Sequence, residues 1–227
     1  MKYLVISGDL VASSSLTATE KSEVEQQLKH LLQTLNTHFK VYGRIIKGDY
    51  LECVVPEIDQ GMRVALFIKS FVKSIPLSTT KEDARIKTFR THGIRLAMGF
   101  GTLERYQPEA GIIDGDAIYR SGRAIQEEST HDKERIIIKN TLFFDSAKED
   151  LNRTINTLLL LLDTLLAKST KRQSEVVCHK LLGKSEEEIA QLLGISQSSI
   201  NQHSTAVGWN AIDRAVSYFS YRFKNLP

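Results

Sequence analysis

Cysteine is nearly missing from this 227-residue chain. There are two, Cys53 and Cys178, far apart and outside any metal-ligand spacing. That excludes a disulfide scaffold and a thiolate metal centre, and it fits a reducing, cytoplasmic setting. Long apolar stretches are missing too: no run exceeds that of Leu158–Leu162, far below the ~20 residues that span a bilayer. The opening run Met1–Ile6 meets Gly8-Asp9 too early for a signal peptide. Four prolines and 13 glycines leave no room for a collagen-like repeat, and 41% hydrophobic with 25% charged residues excludes wholesale disorder. A strong charge of one sign is also lacking. Residues 1–150 carry 21 basic and 21 acidic residues, and residues 151–227 carry 9 and 6. The whole net +3 thus falls in the last third, a mild hint of an anionic partner there.

What is present reads as two kinds of structure. Tyr3–Ile6 is an apolar run ending at Ser7-Gly8-Asp9, a buried strand entering a polar turn. Ser13-Ser14-Ser15 forms a loop ahead of a helix over 19–39, with Val24, Leu28, Leu31, Leu32 and Leu35 at helical spacing. Residues 44–55 read as a hairpin turning at Gly48-Asp49. A helix is expected over 59–75, a polar loop over 78–90, a strand over 94–100, a helix over 116–128 and a strand over 135–139. This order is the split βαββαβ pattern of a ferredoxin-like sheet, expected as a mixed sheet with helices on one face. An apolar helix follows over 152–167; Leu160 and Leu161 widen its stripe almost all round, which suits burial between domains or pairing with a second copy. Residues 169–173 read as a short polar linker. The expected division is an α+β domain (1–148), an apolar linker helix (149–172) and a small all-α domain (173–227).

The chemistry-bearing features of the first domain are its two Gly-Asp pairs. In this topology the first strand lies beside the hairpin, so Asp9 and Asp49 should meet on one edge of the sheet. Two carboxylates brought together need a shared proton or a cation, and Mg²⁺ typically takes one or two carboxylates plus phosphate oxygens. The Ser13–Ser15 loop, before a helix N-terminus, offers backbone N–H groups to phosphate. Either Gly-Asp pair alone is as readily simple turn chemistry. The segments Gly8-Asp9-Leu10-Val11-Ala12-Ser13-Ser14, Gly48-Asp49, Ile94–Gly99 and Gly115–Arg123 resemble, in order, four motifs of class III nucleotide cyclase domains. The resemblance implies that Asp9 and Asp49 hold Mg²⁺, that Leu10, Ser13, Ser14, Lys47 and Tyr119 line a nucleotide site, and that Arg123 is the transition-state arginine, acting across a homodimer interface. Departures accompany it. Tyr119 replaces the family's asparagine, and the two base-reading positions fall on Ile45 and Ile112, which cannot hydrogen-bond a base edge; Lys47 and Asp114 are the nearest polar residues. The phosphate and metal half of the site is kept and the base-reading half is not, which argues against an efficient ATP or GTP cyclase.

In the last third, Ser185 and Glu188 form a capping box. Ile189, Ala190 and Leu193 make an inner face, Gly194 permits a tight turn, and Ser196 caps a second helix that turns Ile200 inward. The segment resembles the helix-turn-helix of LuxR-type regulators and sigma-factor region four. Gln197, Ser198, Ser199, Asn201 and Gln202 would then face DNA, with Lys184 close to phosphate. The competing reading, a protein-binding bundle, rests on Glu186–Glu188 and on a second helix without Lys or Arg. The full arrangement resembles small bacterial proteins of the SatD type. The expectation is a cytoplasmic, homodimeric, ligand-responsive DNA-binding regulator without a membrane anchor. The alternatives are a Mg²⁺-dependent nucleotidyl cyclase or phosphohydrolase, and a scaffold that binds only protein.

Overall fold

The computed structural model describes residues 1–77, 84–128 and 140–226, with Glu127 and Glu128 described only in their backbone. Leu4, Val5 and Ile6, in succession on β1 (Lys2–Leu10), are all fully buried. Neighbouring strand residues point to opposite faces, so β1 is covered on both sides. After β1 come α1 (Ala18–Phe39), the hairpin β2 (Tyr42–Ile46) and β3 (Tyr50–Val55), α2 (Gly61–Ser74), α3 (Ala84–His92) and β4 (Ile94–Thr102). A small hairpin, β5 (Arg105–Gln107) and β6 (Ile112–Asp114), precedes α4 (Asp116–Glu128) and β7 (Leu142–Ser146). The sheet order is β2-β3-β1-β4-β7, antiparallel throughout except for the parallel β4–β7 pair. The first four strands in this order match the split βαββαβ expectation, and the structure is a mixed α+β fold.

Four expectations change. Helices cover both faces of the sheet rather than one. Leu4, Ile6, Leu51, Cys53 and Met98 face α1, α2 and α5 (Glu149–Lys168), while Val5 and Val54 on the other parity meet Ala117 of α4 and Ile113 of the small hairpin. Glycine on β4 permits this second layer: a Cβ on Gly99 would collide with the Ala117 carbonyl oxygen and lie 2.7 Å from the Ser121 amide nitrogen. The supposed polar loop over 78–90 holds a helix from Ala84, because Ile86 and Phe89, three apart, are both buried. The supposed linker 169–173 already starts α6 (Lys171–Leu181), with Thr170 and Gln173 forming a capping box. β7 was not anticipated, although Leu142, Phe144 and Ser146 alternate inward along it. The strand expected over 135–139 lies outside the described residues.

The helix α5 lies along β7. Its Asn156 accepts a hydrogen bond from the Phe144 amide and donates one to the Phe144 carbonyl, both at 2.8 Å. One side chain thereby satisfies the backbone at the open edge of the sheet, where another strand would otherwise dock. The inner stripe of α5 (Ile155, Leu159, Leu162, Leu166) is buried, whereas Leu160 and Leu161 are 48% and 62% exposed.

The last helices are α6, α7 (Glu186–Leu193), α8 (Gln197–Ala206) and α9 (Trp209–Lys224). Val176, Ile189 and Ile200, one from each of α6, α7 and α8, form a small apolar cluster of their own. The other side of α6, with Val177 and Cys178, belongs to the main core, and Arg63 of α2 donates to the Leu181 carbonyl at 3.1 Å. The helix α9 turns back to the sheet. Phe219 and Phe223 stack 4.2 Å apart and meet Phe144 edge-on, Phe223 also meets Phe100, and Ser220 Oγ donates to Asp59 at 2.8 Å. The main core thus takes residues from all three expected segments of the chain. No helix among the described residues is long and apolar enough to cross a membrane.

Candidate functional site

Strand register brings the two aspartates to the same end of the sheet. Asp9 lies opposite Tyr50 on β3 and opposite Arg95 on β4. Asp49 ends the β2–β3 turn, in which Lys47 and Gly48 both take left-handed backbone conformations (φ 54° and 81°). That turn is pinned to the strand end, because the Leu10 amide donates to the Asp49 carbonyl at 3.1 Å. Ser13 Oγ donates to Asp49 Oδ2 at 2.9 Å. Ser13–Ser15 form a single 3-10 turn, entered through left-handed Ala12. Leu10 points into the core, so its backbone rather than its side chain faces the site. Ser14 and Lys47 are exposed at the rim.

Beneath the carboxylates lies a polar layer. Arg95, 5% exposed, places its guanidinium 3.6 Å from Asp9. Ser7 Oγ and Ser121 Oγ are 2.7 Å apart and tie β1 to α4. Ser7 also hydrogen-bonds Tyr50, whose phenol is pushed above its ordinary pKa, chiefly by burial. The donor set at the surface is two carboxylates and a hydroxyl, all hard oxygen ligands that suit Mg²⁺ when phosphate oxygens complete the shell. The described residues contain no group of three or more His, Cys, Asp or Glu side chains that could hold a metal alone. Any ion here would depend on its ligand for the rest of its coordination.

The remaining expected site residues lie elsewhere. Arg123 is exposed on α4, beside a cleft of about 800 Å³ bounded by α4, β7 and α5 and shared with Arg120 and Arg153. Tyr119 is exposed and donates to Asp114 Oδ1 at 2.5 Å. That bond, ahead of the carboxylate's charge, raises its phenol pKa. Ile45 packs against the main core, and Ile112 is half-buried on β6.

On α8, Gln197, Ser198, Asn201 and Gln202 are exposed. Ser199 is occupied in the cap, its amide donating to Ser196 Oγ at 3.1 Å and its hydroxyl lying 2.9 Å from the same oxygen. Asn201 donates to Glu186 at 3.4 Å, and Glu186 pairs with Lys180 at 2.9 Å. The Lys180 hydrogen bond holds the Glu186 carboxyl below the usual range. Lys184 is half-buried between α6 and α7.

A family model named SatD matches residues 3–211. The chain belongs to the SatD family. No curated protein matches it. Among solved structures, a bacterial light-regulated adenylyl cyclase is 14% identical (TM-score 0.40), covering 63% of this chain and 74% of that one. The catalytic core of a rhodopsin-guanylyl cyclase with converted specificity, in complex with ATPαS, is 18% identical (TM-score 0.40), covering 54% and 70%. A dimeric guanylyl cyclase domain from the aquatic fungus Blastocladiella emersonii is 17% identical (TM-score 0.37), covering 54% and 71%.

Two features of this SatD-family chain escape sequence reasoning. One is Arg95 beside Asp9; its only signal is a charged residue interrupting the apolar strand over 94–100. The other is a buried ionic cluster. Lys69 of α2 is fully buried, donates to the Ile94 carbonyl at 2.8 Å and to Thr141 Oγ1, and lies 3.5 Å from Asp163 of α5. Asp163 in turn accepts from the Thr141 amide and hydroxyl at 2.5 and 2.6 Å. Periodicity marks apolar faces and cannot flag a lysine on the inner one.

Proposed function

We propose that this SatD-family protein is a ligand-responsive, DNA-binding regulator, acting as a homodimer in the cytoplasm. The observation that carries the reading is the geometry of α7 and α8. Two short helices, each capped by a serine at its start, meet at left-handed Gly194 (φ 64°) and close on α6 through Val176, Ile189 and Ile200. In our reading this pair acts as a helix-turn-helix, with α8 as its outward helix. Ten residues at 1.5 Å each give α8 a length of about 15 Å, enough to lie in a major groove about 12 Å wide. Gln197, Asn201 and Gln202 are amides suited to adenine edges, and Ser198 suits either base or phosphate. With few cations beside α8, binding would have a shallow salt dependence, a log–log slope of about −2 to −4 at about −0.9 per phosphate contacted.

In this reading the effector is a phosphorylated, Mg²⁺-chelating ligand at Asp9 and Asp49. The metal would neutralise phosphate charge there. Ser13 orients Asp49, Arg95 offers a buried positive charge beside Asp9, and the Ser13–Ser15 turn offers backbone donors to phosphate. Arg123, exposed on α4, would reach the ligand of a second copy. Fluorescence anisotropy with random-sequence and selected duplex DNA tests the proposal. Binding should weaken at least tenfold in Asn201→Ala/Gln202→Ala and shift when a Mg²⁺–nucleotide is added. Equal affinity with and without every nucleotide tried would overturn the regulatory part.

A second reading is favoured by the placement of Asp9 and Asp49 at one end of the sheet: a Mg²⁺-dependent nucleotidyl cyclase or phosphohydrolase. Product released from ATP or GTP by wild type, and lost in Asp49→Asn, would select it. The acidic first turn of α7, Glu186–Glu188, favours a third, a protein-binding scaffold. DNA binding absent at low salt would select that one.

A further inference from the structure

A line of polar side chains crosses the last helices and ends on the face proposed to meet DNA. Lys180 of α6 donates to Glu186 Oε1, in the first turn of α7, at 2.9 Å. The other carboxylate oxygen, Oε2, accepts from Asn201 Nδ2 of α8 at 3.4 Å. One carboxylate thereby ties α6, α7 and α8 together. Lys180 and Glu186 are only 12% and 22% exposed, whereas Asn201 is exposed. Its neighbour Ile200 is fully buried and fixes α8 on Val176 and Ile189.

An asparagine amide can turn over and exchange its donor and its acceptor. A carboxylate only accepts, so Glu186 turns Nδ2 of Asn201 toward α7 and Oδ1 away from it. One Nδ2–H is engaged in this way; the second Nδ2–H and Oδ1 remain for another partner. That adjacent donor and acceptor match N7 and N6–H₂ of adenine in the major groove, whereas guanine presents two acceptors there. An amide already held in one orientation also gives up less rotamer freedom on binding. The pairing with Lys180 matters as well, because a carboxylate joined to an ammonium repels phosphate less than a free one does.

We infer, on the DNA reading of α8 from which this follows, that Glu186 is a positioning residue: it holds the Asn201 amide in the orientation that reads adenine. The duplex selected by this chain therefore carries adenine at the position Asn201 meets. Glu186 itself touches no base. Its effect is confined to that one base pair, which separates it from a residue that only supports the fold of α7.

Selection from a randomised duplex library with the full chain, then fluorescence anisotropy at fixed salt on the selected site and its single-base variants, tests this. Wild type should prefer adenine at one position by about fivefold or more, the lower end of what a bidentate contact discriminates. Asn201→Ala should erase that preference and leave the other positions as they are. Glu186→Gln should do the same while overall affinity holds or rises, since a negative charge near the DNA backbone is gone. Glu186→Asp, which keeps the charge but withdraws it by one methylene, should lose the preference too. Preference retained in Glu186→Gln or Glu186→Asp, preference weakened at every position alike, or a base other than adenine at the position that Asn201→Ala relaxes would each overturn the inference and leave the DNA reading standing. No duplex enriched by wild type would overturn both.

Discussion

Asp163 illustrates how much single residues carry here. It faces Lys69 at 3.5 Å and accepts two bonds from Thr141, all in the interior. Removing one partner of a buried pair leaves an uncompensated charge, which costs about 3–5 kcal/mol. Asp163→Ala should therefore lower the unfolding free energy from urea titration by that amount, while Lys69→Met/Asp163→Leu should recover much of it. His92 makes a pH prediction. Burial, then Lys69, lowers its pKa from 6.5 to about 4, Asp163 opposing. The folded state therefore resists a proton that the unfolded state accepts. Its contribution to stability is complete above pH 6.5 and is lost as pH falls toward 4. Wild type should lose melting temperature across that window faster than His92→Gln does, and differential scanning calorimetry at several pH values would show the difference. Gly99 makes a steric prediction. A Cβ there meets main-chain atoms of α4 rather than a side chain able to rotate away, so Gly99→Ala should cost about 1–3 kcal/mol in chemical denaturation.

The helix starts show what the sequence makes legible among elements. Thr17, Thr170, Ser185 and Ser196 each cap the helix that follows, and the first three complete a capping box. Ser185→Ala should lower global stability by about 1 kcal/mol, and by less if α7 frays on its own, which amide exchange on α7 would reveal. The Ser185 and Ser196 caps, the Gly194 turn and the apolar spacing of α1 could be read from residues alone, because short-range rules govern them. That Asp9 and Asp49 share one end of the sheet was legible too, since two Gly-Asp turns in a known strand order fix that end. The second helical layer, Arg95 beside Asp9 and the Lys69–Asp163 pair were not legible. Each depends on which strand parity or helix face meets which distant partner.

At the scale of the whole molecule, α9 decides how the parts behave together. Phe219 is fully buried against Phe144, Phe223 and the α2 start at Gly61. Phe219→Ala should cost about 3–5 kcal/mol. Because the core takes residues from Leu4 through Phe223, the wild-type chain should unfold in one transition, with the calorimetric and van't Hoff enthalpies equal. Two separated transitions would show that α6–α9 are energetically independent of the sheet. Gripped through both α6 and α9, the α7–α8 pair has little freedom to swing against the sheet, so an effector signal would pass through rigid-body contacts rather than a loose tether.

The chain's one tryptophan, Trp209, opens α9, and its ring lies 5.4 Å from the ammonium of Lys180. Lys180 is the same residue that holds Glu186 at the start of α7. The indole is therefore a built-in fluorophore beside the helix pair proposed to meet DNA, with a nearby charge to tune its emission. Its spectrum, read without any label, would report on α7 and α9 together, and Glu186→Gln should change its colour or yield before it changes the fold.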